Sequence, residues 1–110
     1  DPAFTEAVIQ RYKTLRKGIL SEAYLDNYID ETVAYLGPAI DRNNKKWGYS
    51  YAQKYDLLEP TERNPRSYDE AVGDLKYFIN RRVDFMDENI ETLRQYSAES
   101  ATKKYEENAN

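Results

Sequence analysis

The chain has 110 residues, with 16 Lys and Arg against 20 Asp and Glu, a net charge of −4, and neither Cys nor His. The missing Cys and His exclude disulfide scaffolds, Cys/His zinc sites and catalytic triads that need imidazole. The acidic balance argues against a nucleic-acid partner, and the absence of any run of 18 apolar residues argues against a membrane span.

The first predicted element is a helix from about Pro2 to Lys17. Asp1 is suited to cap it, and proline is favourable at the first helical position because its missing N–H has no helical partner there. An apolar face is indicated by residues that repeat at helical intervals, namely Phe4, Val8, Tyr12 and Leu15. We expect Gly18 to end this helix in the left-handed conformation.

The second predicted element is one helix from Glu22 to about Lys46 that bends at Gly37-Pro38. Proline removes one backbone hydrogen bond, and its ring collides with the carbonyl of the residue four positions earlier. Apolar residues nevertheless keep the helical phase on both sides of the interruption: Leu25, Ile29, Val33, Leu36, Ile40 and Trp47. The continuous phase favours a single bent helix over two unrelated ones.

Residues 48–66 contain two of the four prolines and no helical period, which predicts a long loop that is rich in tyrosine. Two interpretations stay open. The loop packs as a strap over the helices, or it is a contact surface for a partner or for the rest of a larger protein. The candidate interaction residues in and beside it are Trp47, Tyr49, Tyr51 and Tyr55.

The third predicted helix begins at a capping box formed by Ser67 and Glu70. Its apolar stripe consists of Val72, Leu75, Ile79, Val83, Met86, Ile90 and Leu93. Phe78 and Phe85 widen this stripe, so we expect the helix to contact two neighbours and add both to the candidate interaction surface. The sequence predicts an all-α fold with three main helices in a small bundle. Residues 1–97 form the helical domain and residues 98–110 a polar tail or short exposed helix.

The residues contain no recognisable reactive centre. The four glycines are far apart, so neither a P-loop nor a dinucleotide-binding fingerprint is present. The acids clustered near the end of the third helix lie on helical backbone, which is unsuited to a calcium loop. Asp30, beside the apolar Ile29, comes nearest to a buried acid. We therefore predict no catalytic, cofactor-binding or metal-ligating residue in this chain.

Short motifs over residues 4–93 occur in a characteristic order. Those of the first half are Arg11-Tyr12, Leu15-Arg16, Leu20-Ser21, Ile29-Asp30 and Ala39-x-x-Arg42-Asn43-x-x-x-Trp47. Those of the second half are Tyr68, Val72, Leu75, Phe78-Ile79 and Arg82-x-x-Phe85-Met86-Asp87. Together they resemble the C-terminal helical region of the CotH family, which comprises spore coat protein H and related secreted or cellulosome-associated proteins. Tyr12 and Phe85-Met86 depart from the family pattern, where Trp and Trp-Leu are commoner, but both changes conserve packing.

The resemblance implies an atypical protein kinase that phosphorylates coat or extracellular proteins with ATP and a divalent metal. The family's nucleotide- and metal-binding motifs precede this region and match nothing here, so no catalytic residue is transferred. The expectation is a non-catalytic helical subdomain in the spore coat or outside the cell. Its expected partners are the upstream part of the same polypeptide and coat or cellulosomal proteins, and it should expose an apolar patch. The alternative is an independent extracellular module that binds protein or carbohydrate through the Tyr/Trp-rich loop.

Overall fold

The computed structural model describes residues 1–52 and 63–98, and every regular element within these ranges is helical. The α-helices are α1 (Pro2–Arg16), α2 (Glu22–Leu36), α3 (Pro38–Trp47) and α4 (Tyr68–Asn89). Two 3₁₀ helices follow α3 and α4, namely η1 (Gly48–Ala52) and η2 (Ile90–Tyr96). The all-α class is confirmed, but residues 1–52 and 63–98 contain four main helices, whereas three were predicted for the chain. Among the described residues no helix has the length and apolar character that crossing a membrane requires.

The predicted single bent helix over residues 22–46 is wrong, because the chain turns at Gly37 and starts a new helix. Gly37 has φ 42° and ψ −125°, a backbone conformation that side-chain-bearing residues rarely adopt. Pro38 occupies the first position of α3, and it also disfavours the α conformation for the residue before it. Apolar periodicity cannot reveal this turn, since the phase of the stripe is similar on both sides.

Both ends of α1 follow from local side-chain and backbone chemistry. The Asp1 carboxylate accepts hydrogen bonds from the N–H groups of Ala3 at 2.8 Å and Phe4 at 3.3 Å, which confirms the predicted cap. The predicted left-handed Gly18 is wrong, since Gly37 is the only glycine with positive φ in the described part of the chain. Lys17 instead ends α1 in the right-handed region, and the Leu20 N–H then donates to the Leu15 carbonyl at 3.0 Å.

Ser67 caps the start of α4 as predicted, but Glu70 bonds to the Arg66 N–H rather than to the Ser67 N–H of a capping box, and the helix ends earlier than the apolar stripe suggests. The Ser67 hydroxyl accepts from the Glu70 N–H at 3.0 Å, while the Glu70 carboxylate accepts from the Arg66 N–H at 2.8 Å. At the other end the Asn89 side chain donates to the Phe85 carbonyl at 2.8 Å. This local bond competes with the helical pattern, and the chain tightens into η2.

Two predicted segments fall partly or wholly outside the described residues. The long loop begins as the 3₁₀ helix η1 rather than as irregular chain, and Tyr55 lies outside the described residues together with the rest of 53–62. Of the predicted tail, only Ala98 is described. The domain boundary at residue 97 stays a prediction.

The chain divides into two compact units, and the division falls within α4 between Arg82 and Val83. The first, which we call the α1 unit, contains residues 1–21 and the chain from Val83 onward. Its core consists of Ile9, Tyr12 and Ile90, with Leu20 and Met86 packed against them. The second, which we call the α2–α3 unit, comprises Glu22–Arg82, and none of its described residues is fully buried.

Candidate functional site

The strongest polar cluster of the α1 unit joins α1 to the last turn of α4. Arg16 approaches Asp87 with two nitrogens, Nε at 2.9 Å from Oδ1 and Nη2 at 2.7 Å from Oδ2. The Tyr12 hydroxyl lies 2.7 Å from Asp87 Oδ1 and 3.2 Å from the Val83 carbonyl oxygen. Arg16 also donates to the Leu20 carbonyl, so one guanidinium connects both helices and the turn after α1.

The electrostatics of this cluster keep each group in one protonation state. The hydrogen bond from Arg16 holds the pKa of Asp87 below its ordinary value, and the same bond raises the pKa of Arg16. Burial, followed by the nearby Asp87 carboxylate, raises the pKa of Tyr12 to about 12. At neutral pH the phenol is therefore neutral and the ion pair is charged, and the three groups hydrogen-bond to one another.

A second, more exposed network joins α1 to η2. Arg94 lies 2.9 Å from Glu6 and 3.1 Å from Glu91, and Lys13 also pairs with Glu91. The hydrogen bond from Arg94 is the largest cause that lowers the pKa of Glu6 to about 2, followed by the hydrogen bond from Gln10. These side chains are 42–54% exposed, so solvent and salt screen their attraction.

The polar contacts of the α2–α3 unit run between α2 and α4. Lys76 Nζ lies 2.6 Å from Asp30 Oδ1, and the Asn80 amide donates to Asp26 at 3.3 Å. The Asp30 side chain is 63% exposed, so the acid that sequence analysis considered nearest to burial is a surface ion-pair partner. No group of three or more Asp or Glu residues is arranged to hold a metal ion in residues 1–52 and 63–98.

The candidate aromatic residues around the end of α3 are brought together. The ring centroids of Trp47 and Tyr49 lie 6.3 Å apart with planes inclined at 44°, and their side chains are 52% and 66% exposed. Lys46 Nζ lies 5.0 Å from the centroid of the Trp47 ring, within reach of a cation–π contact. Tyr51, in η1, is half-buried.

The two candidate phenylalanines of α4 are both exposed. Phe78 is 65% exposed and lines an open groove of about 630 Å³ in the α2–α3 unit with Leu75, Tyr77 and Pro65 among its neighbours. Phe85, in the α1 unit, is 54% exposed. The proposed interaction role of the aromatic residues stays a prediction.

Sequence reasoning named Tyr12, Arg16 and Asp87 in separate motifs, and Tyr12 also on the apolar face of α1, but did not foresee that the three residues meet. It missed the Arg94–Glu6 pair altogether, because its members are 88 residues apart and neither belongs to a motif. The contact between Tyr12, Arg16 and Asp87 could have been suspected from the sequence, because all three residues belong to the motifs that carry the family resemblance.

The fold therefore defines an all-helical protein. Tyr12, Arg16 and Asp87, which all belong to the sequence motifs, form a polar cluster between its helices. The model of the family described as CotH kinase protein matches residues 1–86, which is more than half of the chain. The chain therefore belongs to the CotH kinase family. Asp87 lies one residue beyond the match. No curated protein and no solved structure matches the chain.

Proposed function

We propose that this chain is a non-catalytic helical part of a CotH-type atypical protein kinase that phosphorylates coat or extracellular proteins with ATP and a divalent metal. In this proposal the ATP and metal sites lie in other residues of the kinase, and the exposed apolar faces of this chain contact that part. Family membership supports the kinase assignment. The observation that carries the structural role is the large amount of exposed apolar surface.

The balance between buried and exposed apolar side chains is unusual for an independent domain. Among the described residues only Ile9, Tyr12, Val83 and Ile90 are buried. The exposed large hydrophobic side chains include Phe4, Tyr24, Tyr28, Tyr35, Leu36, Trp47, Tyr49, Leu75, Tyr77, Phe78, Phe85 and Tyr96. Surfaces of this kind commonly mark contacts with another protein or domain. They support assembly with the rest of a kinase.

The chemistry of the residues supports placing the ATP and metal sites elsewhere in the kinase. Glycine-rich phosphate-binding loops have several closely spaced glycines, whereas the four glycines here are Gly18, Gly37, Gly48 and Gly73. The acidic residues Asp87 and Glu91 are held by Arg and Lys side chains rather than turned toward one another. This chemistry supports an active site formed elsewhere in the protein.

The proposal is tested by comparing this chain with the full-length protein that contains it. Isothermal titration with ATP and Mg²⁺ should show no binding to the chain, whereas the full-length protein should bind the nucleotide and transfer phosphate to a protein acceptor. Tight nucleotide binding by the chain alone would contradict the proposal, as would a full-length protein without phosphate transfer.

One observation favours a second candidate, an extracellular module that binds protein or carbohydrate. Trp47 and Tyr49 form an exposed ring pair of the kind on which a sugar ring can stack. Titration of the chain with soluble glycans, followed by Trp fluorescence, distinguishes the candidates. Quenching that is lost in Tyr49→Ala and retained in Tyr35→Ala, a matched exposed tyrosine in α2, would favour the module.

A further inference from the structure

Helix α1 has a second apolar face besides the one that packs into the core. Phe4, Val8 and Leu15 lie on this face at helical spacing, with Arg11 among them. We call these four residues the α1 stripe. Phe4 is 69% and Val8 36% exposed, and together with Ala7 and Tyr12 the stripe forms an open, nearly flat surface on this helix.

Arg11 differs from the cations that α1 directs toward the rest of its unit. Lys13 pairs with Glu91, and Arg16 pairs with Asp87. The exposed Arg11 side chain forms no ion pair or hydrogen bond with another residue of 1–52 or 63–98. An apolar stripe with an unpaired guanidinium in its middle therefore faces outward.

We propose that the α1 stripe is the docking surface for an apolar segment of the parent kinase that carries an Asp or Glu opposite Arg11. This inference rests on the proposed function. Covering Phe4 and Val8 also removes water from Arg11, and a desolvated cation is costly unless a carboxylate pairs with it. A guanidinium binds a carboxylate through two parallel hydrogen bonds, so the pair would also set the register of the docked segment.

Charge argues against a second copy of this chain as the occupant. Two stripes facing each other would bring two Arg11 side chains into the same apolar contact. The stripe contains no acidic residue that could neutralise them, and the nearby Asp1 carboxylate already caps α1. Like charges in a desolvated interface oppose association, which leaves a segment of complementary charge as the occupant.

The first experiment identifies the occupant by zero-length cross-linking. The R11K variant of the full-length protein is treated with a carbodiimide, which joins an amine to a carboxylate in direct contact, and the products are mapped by mass spectrometry. We expect position 11 to be joined to an Asp or Glu outside this chain within an apolar segment. Lys17, an exposed lysine just after α1, is the internal control and should not join that carboxylate. Absence of the cross-link, or a cross-link to a second copy in an isotope-mixed sample, would overturn the inference.

The second experiment measures the energetic consequence with matched charge reversals. In the full-length protein, Arg11→Glu should lower the thermal midpoint by several degrees, whereas Lys17→Glu should change it little. In the isolated chain neither variant should have a large effect, because both side chains are exposed. Equal effects of the two reversals in the full-length protein would overturn the inference, as would a loss of stability by Arg11→Glu in the isolated chain.

Phosphate transfer by the same full-length preparation separates this inference from the proposed function. Activity without the cross-link rejects the α1 stripe as the docking surface and leaves the kinase assignment intact. The cross-link without phosphate transfer rejects the kinase assignment and leaves the docking surface intact.

Discussion

The α1 unit and the α2–α3 unit are both helical and both carry apolar stripes, yet among the described residues only the α1 unit has a fully buried core. In the α1 unit Ile9 is completely inaccessible, and Tyr12 is 7% exposed. In the α2–α3 unit Ile29 and Val33 are only half-buried. Open grooves of about 340 and 260 Å³ lie beside the apolar side chains of the latter unit. A helical apolar pattern therefore indicates which face of a helix can be buried. Whether that face is buried depends on whether another part of the protein packs against it.

The ion pairs of the two units differ in how far apart their partners lie in the sequence. In the α1 unit, Arg16 and Arg94 each pair with a carboxylate that is more than 70 residues away in sequence. In the α2–α3 unit, a comparable ion pair joins Lys76 to Asp30, which is 46 residues away in sequence. Among the described residues, the α1 unit combines a small buried core with charged pairs around it, whereas the α2–α3 unit has an ion pair but no buried core. Five predictions test this contrast.

The largest effect is expected from a cavity in the α1 unit. Ile9→Ala should cost about 2–5 kcal/mol of unfolding free energy, because it removes a fully buried side chain. The matched Ile29→Ala in the α2–α3 unit should cost about 1 kcal/mol, because Ile29 is only partly buried. Urea unfolding followed by circular dichroism measures both. Equal losses would remove the proposed contrast between the units.

The turn between α2 and α3 should be the most sensitive backbone position of the α2–α3 unit. Gly37→Ala should cost about 1–3 kcal/mol, because φ 42° strains any side-chain-bearing residue. The control is Gly73→Ala in α4, where a Cβ meets no atom within 4 Å. This change should stabilise the chain by about 0.5–1 kcal/mol through better helix propensity. Thermal midpoints that move in the same direction for both variants would contradict the assigned turn.

The Tyr12–Arg16–Asp87 cluster should contribute less than the core beside it. Asp87→Asn should cost about 1 kcal/mol, since the Asp87 side chain is 42% exposed and solvent screens its charge. The variant should also lower the pKa of Tyr12 from about 12, because Asp87 is one of the groups that raise it. Absorbance titration of the phenol checks the pKa, and denaturation checks the stability. Glu88→Gln, at the next and exposed position, should leave both unchanged.

Ionisation of the Tyr12 phenol should lower the stability of the folded chain at high pH. Because the folded-state pKa of Tyr12 lies above its ordinary value of 10.0, the neutral phenol stabilises the native state fully below about pH 10. This contribution should be lost as pH rises from 10 toward 12. Tyr12→Phe should lose less stability than the wild type over that interval. If the wild type and Tyr12→Phe lost equal stability between pH 10 and 12, ionisation of Tyr12 would not be a cause of the loss.

The smallest effect is expected at the exposed Arg94–Glu6 pair. The pKa of Glu6 is lowered from 4.5 to about 2, so its stabilising contribution is complete above pH 4.5 and is lost as pH falls toward 2. Arg94→Gln removes the hydrogen bond that is the largest cause of the lowered pKa of Glu6. The titration midpoint of Glu6 should therefore return toward 4.5. Carbon NMR of the Glu6 carboxyl group measures this midpoint directly. An unchanged midpoint in Arg94→Gln would show that the pair does not persist in solution.

Local chemistry made several features predictable. The Asp1 and Ser67 caps depend on residues within one helical turn, so the sequence contains both partners of each hydrogen bond. The replacement of a bent helix by a turn at Gly37 was not predictable from periodicity. Whether a Gly-Pro pair bends or ends a helix depends on the backbone conformation that glycine adopts, and glycine permits several. The early end of α4 at Asn89 likewise depends on a side-chain bond that competes with the helix.

The candidate site was predictable only in its components. The resemblance singled out Arg16 and Asp87 as motif residues, but their contact at 2.7 Å arises from the packing of α1 against the end of α4. Phe78 and Phe85 are exposed, so the expectation that they bring α4 into contact with a second neighbour stays a prediction. Trp47 and Tyr49 are two residues apart, so their proximity in space was predictable from the sequence. The angle between their rings was not predictable and is known only from the structure.

The amino-acid sequence alone determined the all-α class, the caps and the family, because helical periodicity, capping chemistry and short ordered motifs are local properties of the chain. Tertiary structure alone decided that Ile9 and Tyr12 are buried, that Arg94 meets Glu6, and that Arg11 faces outward. Burial and ion pairing are properties of pairs of surfaces, and those surfaces come from segments that are distant in the sequence.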